Sequence, residues 1–138
     1  MRRLFVDSSI FYAIADRSDR YKKRAQGVVS TGEELVTTDH VLAESWLLIQ
    51  RRLGWSMAER FWGRLRAGRV TIEHLGPGDL DHAWRIGEVF ADQDFSIVDR
   101  TSFAVMERLG IDRVATFDDH FSIYRYGPRR DRAFDVRR

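Results

Sequence analysis

The sequence predicts an α/β fold of three layers (α/β/α), in which helices cover both faces of a mainly parallel central sheet. Short β-prone runs alternate with helical stretches along all 138 residues, and this alternation is typical of βαβ units. The first run, residues 4–6, is apolar without alternating polar positions, as expected of a strand that is buried on both faces. With 43% hydrophobic residues and no repeats, we expect a single domain over residues 1–138.

The first elements follow from apolar runs and helix-start signals. Residues 4–6 (LFV) predict a strand, and residues 8–15 (SSIFYAIA) predict a short helix. Asp19 is a candidate cap for a second helix in DRYKKRAQGVV. A β-prone run at residues 35–38 then predicts the second strand, and Asp39 is a candidate cap for the helix HVLAESWLLIQRRL.

The middle of the chain carries a second set of boundary signals. Gly54 ends the long helix, and Ser56 with Glu59 has the spacing of a capping box that opens the next helix. The alternating run RVTIEHL at residues 69–75 predicts a strand. Residues 76–78 (GPG) predict a turn, after which Asp79 opens another helix.

The last third predicts one more helix and two strands. Ser96 and Asp99 again have capping-box spacing, and they open a helix that Gly110 ends. Residues 113–117 (RVATF) predict a strand, and residues 133–136 predict a final short one.

The charge is modest in total and uneven in distribution. The formal net charge is +2 and the pI is near 9.3, with nearly all cations supplied by arginine, which suits contact with phosphate. The basic tail at residues 125–138 holds six arginines against two aspartates. It is either a contact surface for nucleic acid or a solvated end of the domain.

The composition also predicts the compartment. The chain has no cysteine, so neither disulfides nor thiolate chemistry is available. Its first residues lack the pattern of a signal peptide, and it has no apolar run of membrane-spanning length. We therefore expect a cytoplasmic protein that does not contact a membrane.

Four acidic residues lie where the predicted fold would bring them together. Asp7 and Asp118 directly follow predicted strands, so both lie at the carboxyl edge of the sheet, where ligands of such folds bind. Glu44 and Asp99 lie in the first two turns of helices and have apolar neighbours. Each acid alone is explained by a turn, a cap or an ion pair. Together they would repel one another unless a cation lay between them.

A hard divalent ion is the cation that this set favours. Carboxylates without histidine or cysteine are typical ligands of Mg²⁺ or Mn²⁺, not of zinc. Such an ion can activate water and stabilise the oxygen that leaves a phosphodiester. The acids therefore predict metal-dependent hydrolysis of a nucleic-acid backbone.

Four segments in order resemble the motifs of PIN-domain ribonucleases. They are LFVDSSIFYAIAD, TTDHVLAESWLLI, DFSIVDRTSFAVMERLGI and VATFDDHF. The resemblance runs from Leu4 to about Tyr124. In length and motif order the chain is similar to the toxin ribonucleases of VapBC toxin–antitoxin modules.

The resemblance implies a function and a set of site residues. Asp7 and Asp99 match the acids most directly tied to the metal, Glu44 and Asp118 match the other two catalytic acids, and the hydroxyl residues expected to support the site or bind substrate are Ser9 and Thr116. It also implies an endoribonuclease toxin that acts on tRNA or rRNA, forms homodimers and is inhibited by an antitoxin. The alternatives are a housekeeping RNA-processing nuclease and a non-catalytic PIN module that binds RNA or protein.

Several residues near the motifs remain open at this point. Asp119 competes with its neighbour Asp118, although the motif favours Asp118, and Asp94 is a candidate outer-sphere acid. Arg100 stands where the family more often has a small or neutral residue, and it either reaches a substrate phosphate or points into solvent. The family pattern makes His120 a structural residue. An aromatic group predicts either an antitoxin groove or ordinary helix packing; its members are Trp46, Trp55, Phe61 and Trp62.

Overall fold

A computed structural model describes residues 2–138 and shows a five-stranded parallel sheet flanked by helices. The strands are β1 (Arg3–Val6), β2 (Glu34–Thr38), β3 (Val70–Glu73), β4 (Arg113–Ala115) and β5 (Asp135–Arg137). The helices are α1 (Ser8–Ala15), α2 (Lys22–Val29), α3 (Asp39–Leu53), α4 (Trp55–Ala67), α5 (Pro77–Val89), α6 (Ile97–Leu109) and α7 (His120–Ile123). The α/β class and the parallel sheet are confirmed.

The strand order explains why helices cover both faces. The order is β3-β2-β1-β4-β5, and every neighbouring pair is parallel. The chain thus moves outward from β1 to β3 and then crosses back to β4 on the other side of β1. Because crossover connections are right-handed, the helices before and after this reversal lie on opposite faces. The reversal also makes the carboxyl ends of β1 and β4 a topological switch point, the usual position of a ligand.

The core lies between the sheet and these helices. The central strand β1 contributes Leu4, Phe5 and Val6, none more than 1% exposed. Buried side chains on both sides of β1 complete the core, among them Ile10, Ile49, Phe103, Met106, Val114 and Phe121. None of the helices within residues 2–138 combines the length and hydropathy needed to cross a bilayer.

Several predicted helix starts differ from the structure. Thr38, not Asp39, is the N-cap of α3, because its hydroxyl accepts the Val41 N–H. Tyr21 is the N-cap of α2, while Asp19 accepts the Tyr21 N–H in the preceding turn. The residues predicted as a turn at 76–78 are partly helical: α5 begins at Pro77, and Asp79 reaches back to the Gly76 N–H.

The capping box predicted at Ser56 does not form. Helix α4 begins at Trp55, its N-cap is Gly54, and no side chain caps it. Glu59, the predicted partner, instead accepts a hydrogen bond from the indole N–H of Trp46 on α3. A contact between two helices has therefore replaced the local cap.

The predicted strand bounds are shifted or too long. Strand β3 covers 70–73 where 69–75 was predicted, and β4 covers 113–115 where 113–117 was predicted. Strand β5 covers 135–137 in place of 133–136. Beyond β4 the Thr116 N–H still donates to the Arg137 carbonyl of β5, while the Thr116 hydroxyl donates to Asp7 and accepts the Asp118 N–H, so residues 116–118 lead from the sheet into the site.

Candidate metal centre

Asp7 lies at the carboxyl end of the central strand, β1, and is hydrogen-bonded to the neighbouring strand, β4. Its N–H donates to the carbonyl of Ala115 in β4, and its side chain is 4% exposed. The carboxylate oxygen Oδ2 accepts the hydroxyls of Thr116 at 2.7 Å and Ser9 at 3.0 Å. Asp7 occupies the N-cap position of α1, yet it makes no side-chain cap hydrogen bond. Its side chain therefore serves the site and not the helix.

Ser9 and Thr116 position the Asp7 carboxylate by hydrogen bonds. While each donates to Asp7, Ser9 Oγ accepts the Phe117 N–H at 2.9 Å and Thr116 Oγ1 accepts the Asp118 N–H at 2.9 Å. The hydroxyls therefore tie the segment after β4 to the end of β1. Their predicted contact with substrate stays a prediction.

The pKa of Asp7 is raised to about 6, mainly because the carboxyl group is buried. The hydroxyl donors Thr116 and Ser9 oppose the shift, and the charge of Asp99 adds to it. Burial therefore makes the ionised form of Asp7 less stable than it would be in water. A nearby cation would offset that loss.

Glu44 joins Asp7 through Ser8. Glu44 lies in the second turn of α3 and is half-buried. Its Oε1 accepts the Ser8 hydroxyl at 2.6 Å, and the same hydroxyl lies 3.5 Å from Asp7 Oδ1. Burial raises the pKa of Glu44, and the charges of Asp99 and Asp118 raise it further against the opposing Ser8 hydrogen bond.

Asp99 is oriented by the cap of its own helix and by a histidine. The predicted capping box with Ser96 is confirmed: Ser96 Oγ accepts the Asp99 N–H, and Asp99 Oδ2 accepts the Ser96 N–H, both at 3.0 Å. The same Oδ2 lies 2.7 Å from His120 Nδ1. Burial raises the pKa of Asp99, the bonds to His120 and Ser96 lower it, and Asp118 raises it again.

Asp118 completes the cluster at the start of α7. Its Oδ1 accepts the His120 N–H at 2.8 Å and lies 3.6 Å from His120 Nδ1. Burial disfavours the charged form of His120, but its bond to Asp99 and the charges of Asp118, Asp99 and Asp94 leave its pKa raised. A protonated His120 would thus neutralise part of the acidic charge.

The residues present fit a divalent cation. One ligand atom from each of Asp99, Asp118 and His120 lies within 4.8 Å of the other two. Asp7 and Glu44 lie outside this trio but are coupled to it by charge. Carboxylates, which are the majority of these groups, are the ligands of Mg²⁺ and Mn²⁺. The cluster can therefore bind a metal ion, although the histidine makes it less purely acidic than the sequence predicted.

Two acids that the sequence left open lie apart from the trio. Asp119 is exposed and forms an ion pair with Arg138 at 3.0 Å. Asp94 acts on the site only through its charge at His120. The motif-based preference for Asp118 over Asp119 thus agrees with the geometry.

Sequence reasoning missed two residues of the site. His120 was taken as structural, yet its ring contacts Asp99, which is 21 positions away. The available signal was an Asp two positions before it, because an Asp side chain commonly accepts the backbone N–H two residues on, as Asp118 does from His120. Ser8 was taken only as part of a helix start, and nothing in its own position shows that it would meet Glu44.

Comparisons with known proteins identify the family of the chain. A family model described as the PIN domain matches residues 4–125. The 23S rRNA-specific endonuclease VapC20 of Mycobacterium tuberculosis is 32% identical over 120 residues, which cover 86% of this chain and 92% of that protein. Ribonuclease VapC26 of the same organism is 24% identical, with coverage of 88% and 92%.

Solved structures show the same fold. The crystal structure of VapC20, described as a sarcin–ricin loop cleaving toxin, has a TM-score of 0.81 and 31% identity, with coverage of 87% of this chain and 93% of that one. FitAcB from Neisseria gonorrhoeae has a TM-score of 0.60 with 14% identity, covering 85% and 88% of the two chains. The second likeness concerns the fold alone.

Proposed function

The chain belongs to the PIN-domain family, and from that premise we propose that it is a metal-dependent endoribonuclease and the toxin of a type II toxin–antitoxin pair. The observation that carries the proposal is the cluster at the switch point of the sheet, where Asp99, Asp118 and His120 converge beside Asp7 and Glu44. The names of the relatives, an endonuclease and a ribonuclease, support the same reaction class.

We propose Asp7, Glu44, Asp99 and Asp118 as the residues that hold Mg²⁺ or Mn²⁺ and carry catalysis. Asp7 and Asp99 each make their shortest side-chain hydrogen bonds through Oδ2, and Asp7 Oδ1 lies 3.5 Å from the Ser8 hydroxyl. The other oxygen of each side chain is then available to a cation. When bound, a divalent ion acidifies water and neutralises charge on the scissile phosphate.

The chain's own groups prepare the site for this reaction. Ser9 and Thr116 hold the Asp7 carboxylate against rotation, and Ser8 keeps Glu44 facing Asp7. Fixing the acids before RNA arrives lowers the cost of reorganisation during the reaction. The site lies at the carboxyl ends of the central strands, and Asp118 is its more exposed acid, with a side chain that is 36% exposed.

Of tRNA and rRNA, the two substrates that the family resemblance implies, we propose rRNA. The relative with 32% identity is named for 23S rRNA, and its structure is described by cleavage of the sarcin–ricin loop. We infer a structured rRNA hairpin of that kind as the substrate of this chain.

The activity test uses the purified protein, a labelled sarcin–ricin loop hairpin and a tRNA of similar length. Cleavage of the hairpin should require Mg²⁺ or Mn²⁺ and stop with EDTA. Asp99→Asn should lower the rate by more than about 100-fold, since it removes a charged ligand. The exposed Asp131 provides the control Asp131→Asn. A wild-type rate for Asp99→Asn would contradict the assignment, and cleavage of tRNA alone would contradict the substrate.

A groove beside α1, α2 and α4 supports an antitoxin as the protein partner. The groove has a volume of about 300 Å³. Its floor is apolar and includes Phe11, Met57 and Phe61, and its rim carries cations: Arg17, Lys22, Arg60 and Arg64. We propose that an acidic, apolar segment of the antitoxin binds there. Co-purification with the product of an adjacent short reading frame would test the pair.

The four aromatic residues for which the sequence predicts either an antitoxin groove or ordinary helix packing do not all have the same role. Trp46 packs against the core, and its indole N–H binds Glu59, as ordinary helix packing requires. Phe61 lies in the groove and meets Phe11 at 5.4 Å between ring centroids. Trp55, which is 63% exposed, and Trp62 do not line the groove.

We also propose a homodimer. Large apolar side chains are exposed on α3 and α5, namely Leu47 (53%) and Leu80 (45%). Light scattering on the purified protein measures the mass directly.

A further inference from the structure

Arg100 follows Asp99 in α6, and its side chain is held in a defined position. Its Nη1 donates to the carbonyl of Ala83 in α5 at 3.3 Å, and its Nε donates to the carbonyl of Ser96 at 3.4 Å. The side chain is half-buried. It therefore crosses from one helix to the other and does not extend freely into solvent.

The place of the guanidinium depends on a glycine in the facing helix. A Cβ added to Gly87 would lie 2.0 Å from Arg100 Nη1 and 3.0 Å from Cζ. Glycine inside a helix costs about 1 kcal/mol relative to alanine, so Gly87 is not explained by the needs of α5. The space that it leaves is the space that Arg100 fills.

Arg100 keeps its charge available. Both of its acceptors are backbone carbonyls, and among residues 2–138 no carboxylate lies within ion-pair distance of it. Arg108, by contrast, is paired with Asp79 and Glu73, and Arg113 is paired with Glu33. The remaining N–H groups of Arg100 can thus bind an anion.

The pocket beside Arg100 adjoins the candidate metal centre. It has a volume of about 300 Å³, and Phe95 lines it together with Arg100. The ring of Phe95 also meets the His120 ring edge-on, with 5.2 Å between centroids. His120 in turn contacts Asp99. A single aromatic side chain therefore separates the pocket from the acidic cluster.

We propose that Arg100, seated over Gly87, binds a backbone phosphate of the RNA strand next to the one that is cleaved. The inference rests on the proposed ribonuclease function and adds a substrate-positioning residue to it. An acidic cluster repels RNA on either side of its bound cation, and an unpaired guanidinium at the edge of the cluster offsets that repulsion. Arginine suits this contact because its fork binds phosphate through two N–H groups.

Steady-state cleavage of the RNA hairpin by the wild type and four variants tests the inference. Arg100→Gln should raise KM about tenfold with little change in kcat, since a contact made equally in the bound and reacting states affects binding only. Its KM should also depend less on salt, with the slope of log KM against log salt reduced by about 0.7–0.9. Arg100→Lys should recover part of the affinity, because it restores charge without the fork.

Gly87→Ala displaces the guanidinium without removing it. The added methyl group should raise KM while leaving the fold intact by circular dichroism, because the clashing atoms belong to the end of a flexible side chain. Gly63→Ala in α4 is the matched control: nothing lies within 4 Å of its added Cβ, so KM should not change. Wild-type KM and salt dependence in both Arg100→Gln and Gly87→Ala would overturn the inference.

Fluorescence anisotropy of the labelled hairpin in EDTA separates this inference from the proposed function. If the wild-type protein fails to cleave RNA yet binds it, and Arg100→Gln weakens that binding, the ribonuclease proposal fails while the phosphate contact stands. If the wild-type protein cleaves RNA and the variants bind as tightly as it does, only the phosphate contact fails. Absence of both cleavage and binding overturns both.

Discussion

Asp7 shows how a single buried acid is tuned by its surroundings. It has the N-cap position of α1 without a cap hydrogen bond, and two hydroxyls hold one of its oxygens. Burial raises its pKa to about 6. Between pH 4 and pH 6 the folded state therefore binds more protons at Asp7 than the unfolded state does, and stability falls as pH rises through this window.

Asp7→Asn should stabilise the metal-free protein above pH 6. The gain should be about 1–3 kcal/mol at pH 7.5, from a pKa shift of roughly two units at about 1.4 kcal/mol each, and it should disappear near pH 4. Urea unfolding in EDTA at both pH values measures the difference. Asp131→Asn, at an exposed position, should show no such dependence. Equal stability of Asp7→Asn and wild type at pH 7.5 would refute the prediction.

Binding of a metal ion to the trio of Asp99, Asp118 and His120 should raise the stability of the protein. Saturating Mn²⁺ at about 100 times its Kd should stabilise the folded state by about 2.7 kcal/mol by mass action. For a chain of this length we expect a rise in Tm of about 5–10 °C. Thermal melts with Mn²⁺ and with EDTA measure it, and Asp99→Asn should lose most of the rise. A Tm that is the same in Mn²⁺ and EDTA would count against the site.

At the scale of elements, helix caps connect local sequence to the site. The box of Ser96 and Asp99 both starts α6 and orients a candidate metal ligand. The second pattern of the same spacing, Ser56 with Glu59, does not form a box, since α4 starts at Trp55 and Ser56 lies inside the helix, while Glu59 binds Trp46 on the neighbouring helix. The spacing was equally good in both, so spacing alone does not decide whether a box forms.

Replacing the serine of each pattern by alanine should show that only the Ser96 pattern stabilises its helix. Ser96→Ala should lower the free energy of unfolding by about 1 kcal/mol, the usual loss for an N-cap. It should leave the Asp99 carboxylate in place, because that group is held by the Ser96 backbone N–H and by His120. Ser56→Ala should change stability by less than about 0.5 kcal/mol. Urea unfolding of both variants tests this, and equal losses would show that the caps do not differ.

At the scale of the whole molecule, the basic tail belongs to the fold. A purely solvated end, one of its two predicted readings, does not account for residues 134–137; contact of the tail with nucleic acid stays a prediction. Phe134 is buried and stacks on Tyr126 at 4.8 Å between centroids, and β5 pairs with β4 at the edge of the sheet. Arg113 adds a link by binding both Glu33 and Asp135. The strand predicted at residues 133–136 is thus present as β5, shifted to 135–137.

Phe134→Ala should therefore destabilise the whole domain. We expect a loss of about 3–4 kcal/mol, typical of a large core side chain replaced by alanine. Ile123→Ala, at a residue that is 43% exposed, should cost less than about 0.5 kcal/mol. Denaturant unfolding followed by circular dichroism measures both. A loss for Phe134→Ala as small as that of the control would mean that the tail is not part of the core.

The sequence by itself determined the parallel sheet and the edge of the sheet at which Asp7 and Asp118 both lie. Hydrophobic periodicity, which predicts the strands, and the end of a strand that a residue adjoins are both local properties of the sequence. They are therefore enough to predict the sheet and the edge at which these acids lie. Only the tertiary structure decided that His120 joins Asp99 and Asp118, that Ser8 joins Asp7 to Glu44, and that Arg100 fills the space over Gly87. Three of these contacts, Ser8 with Glu44, His120 with Asp99 and Arg100 with Gly87, link positions from 13 to 36 residues apart. Such distances in the chain become contacts only when helices pack on a sheet, because no local pattern sets the direction of one side chain toward another element.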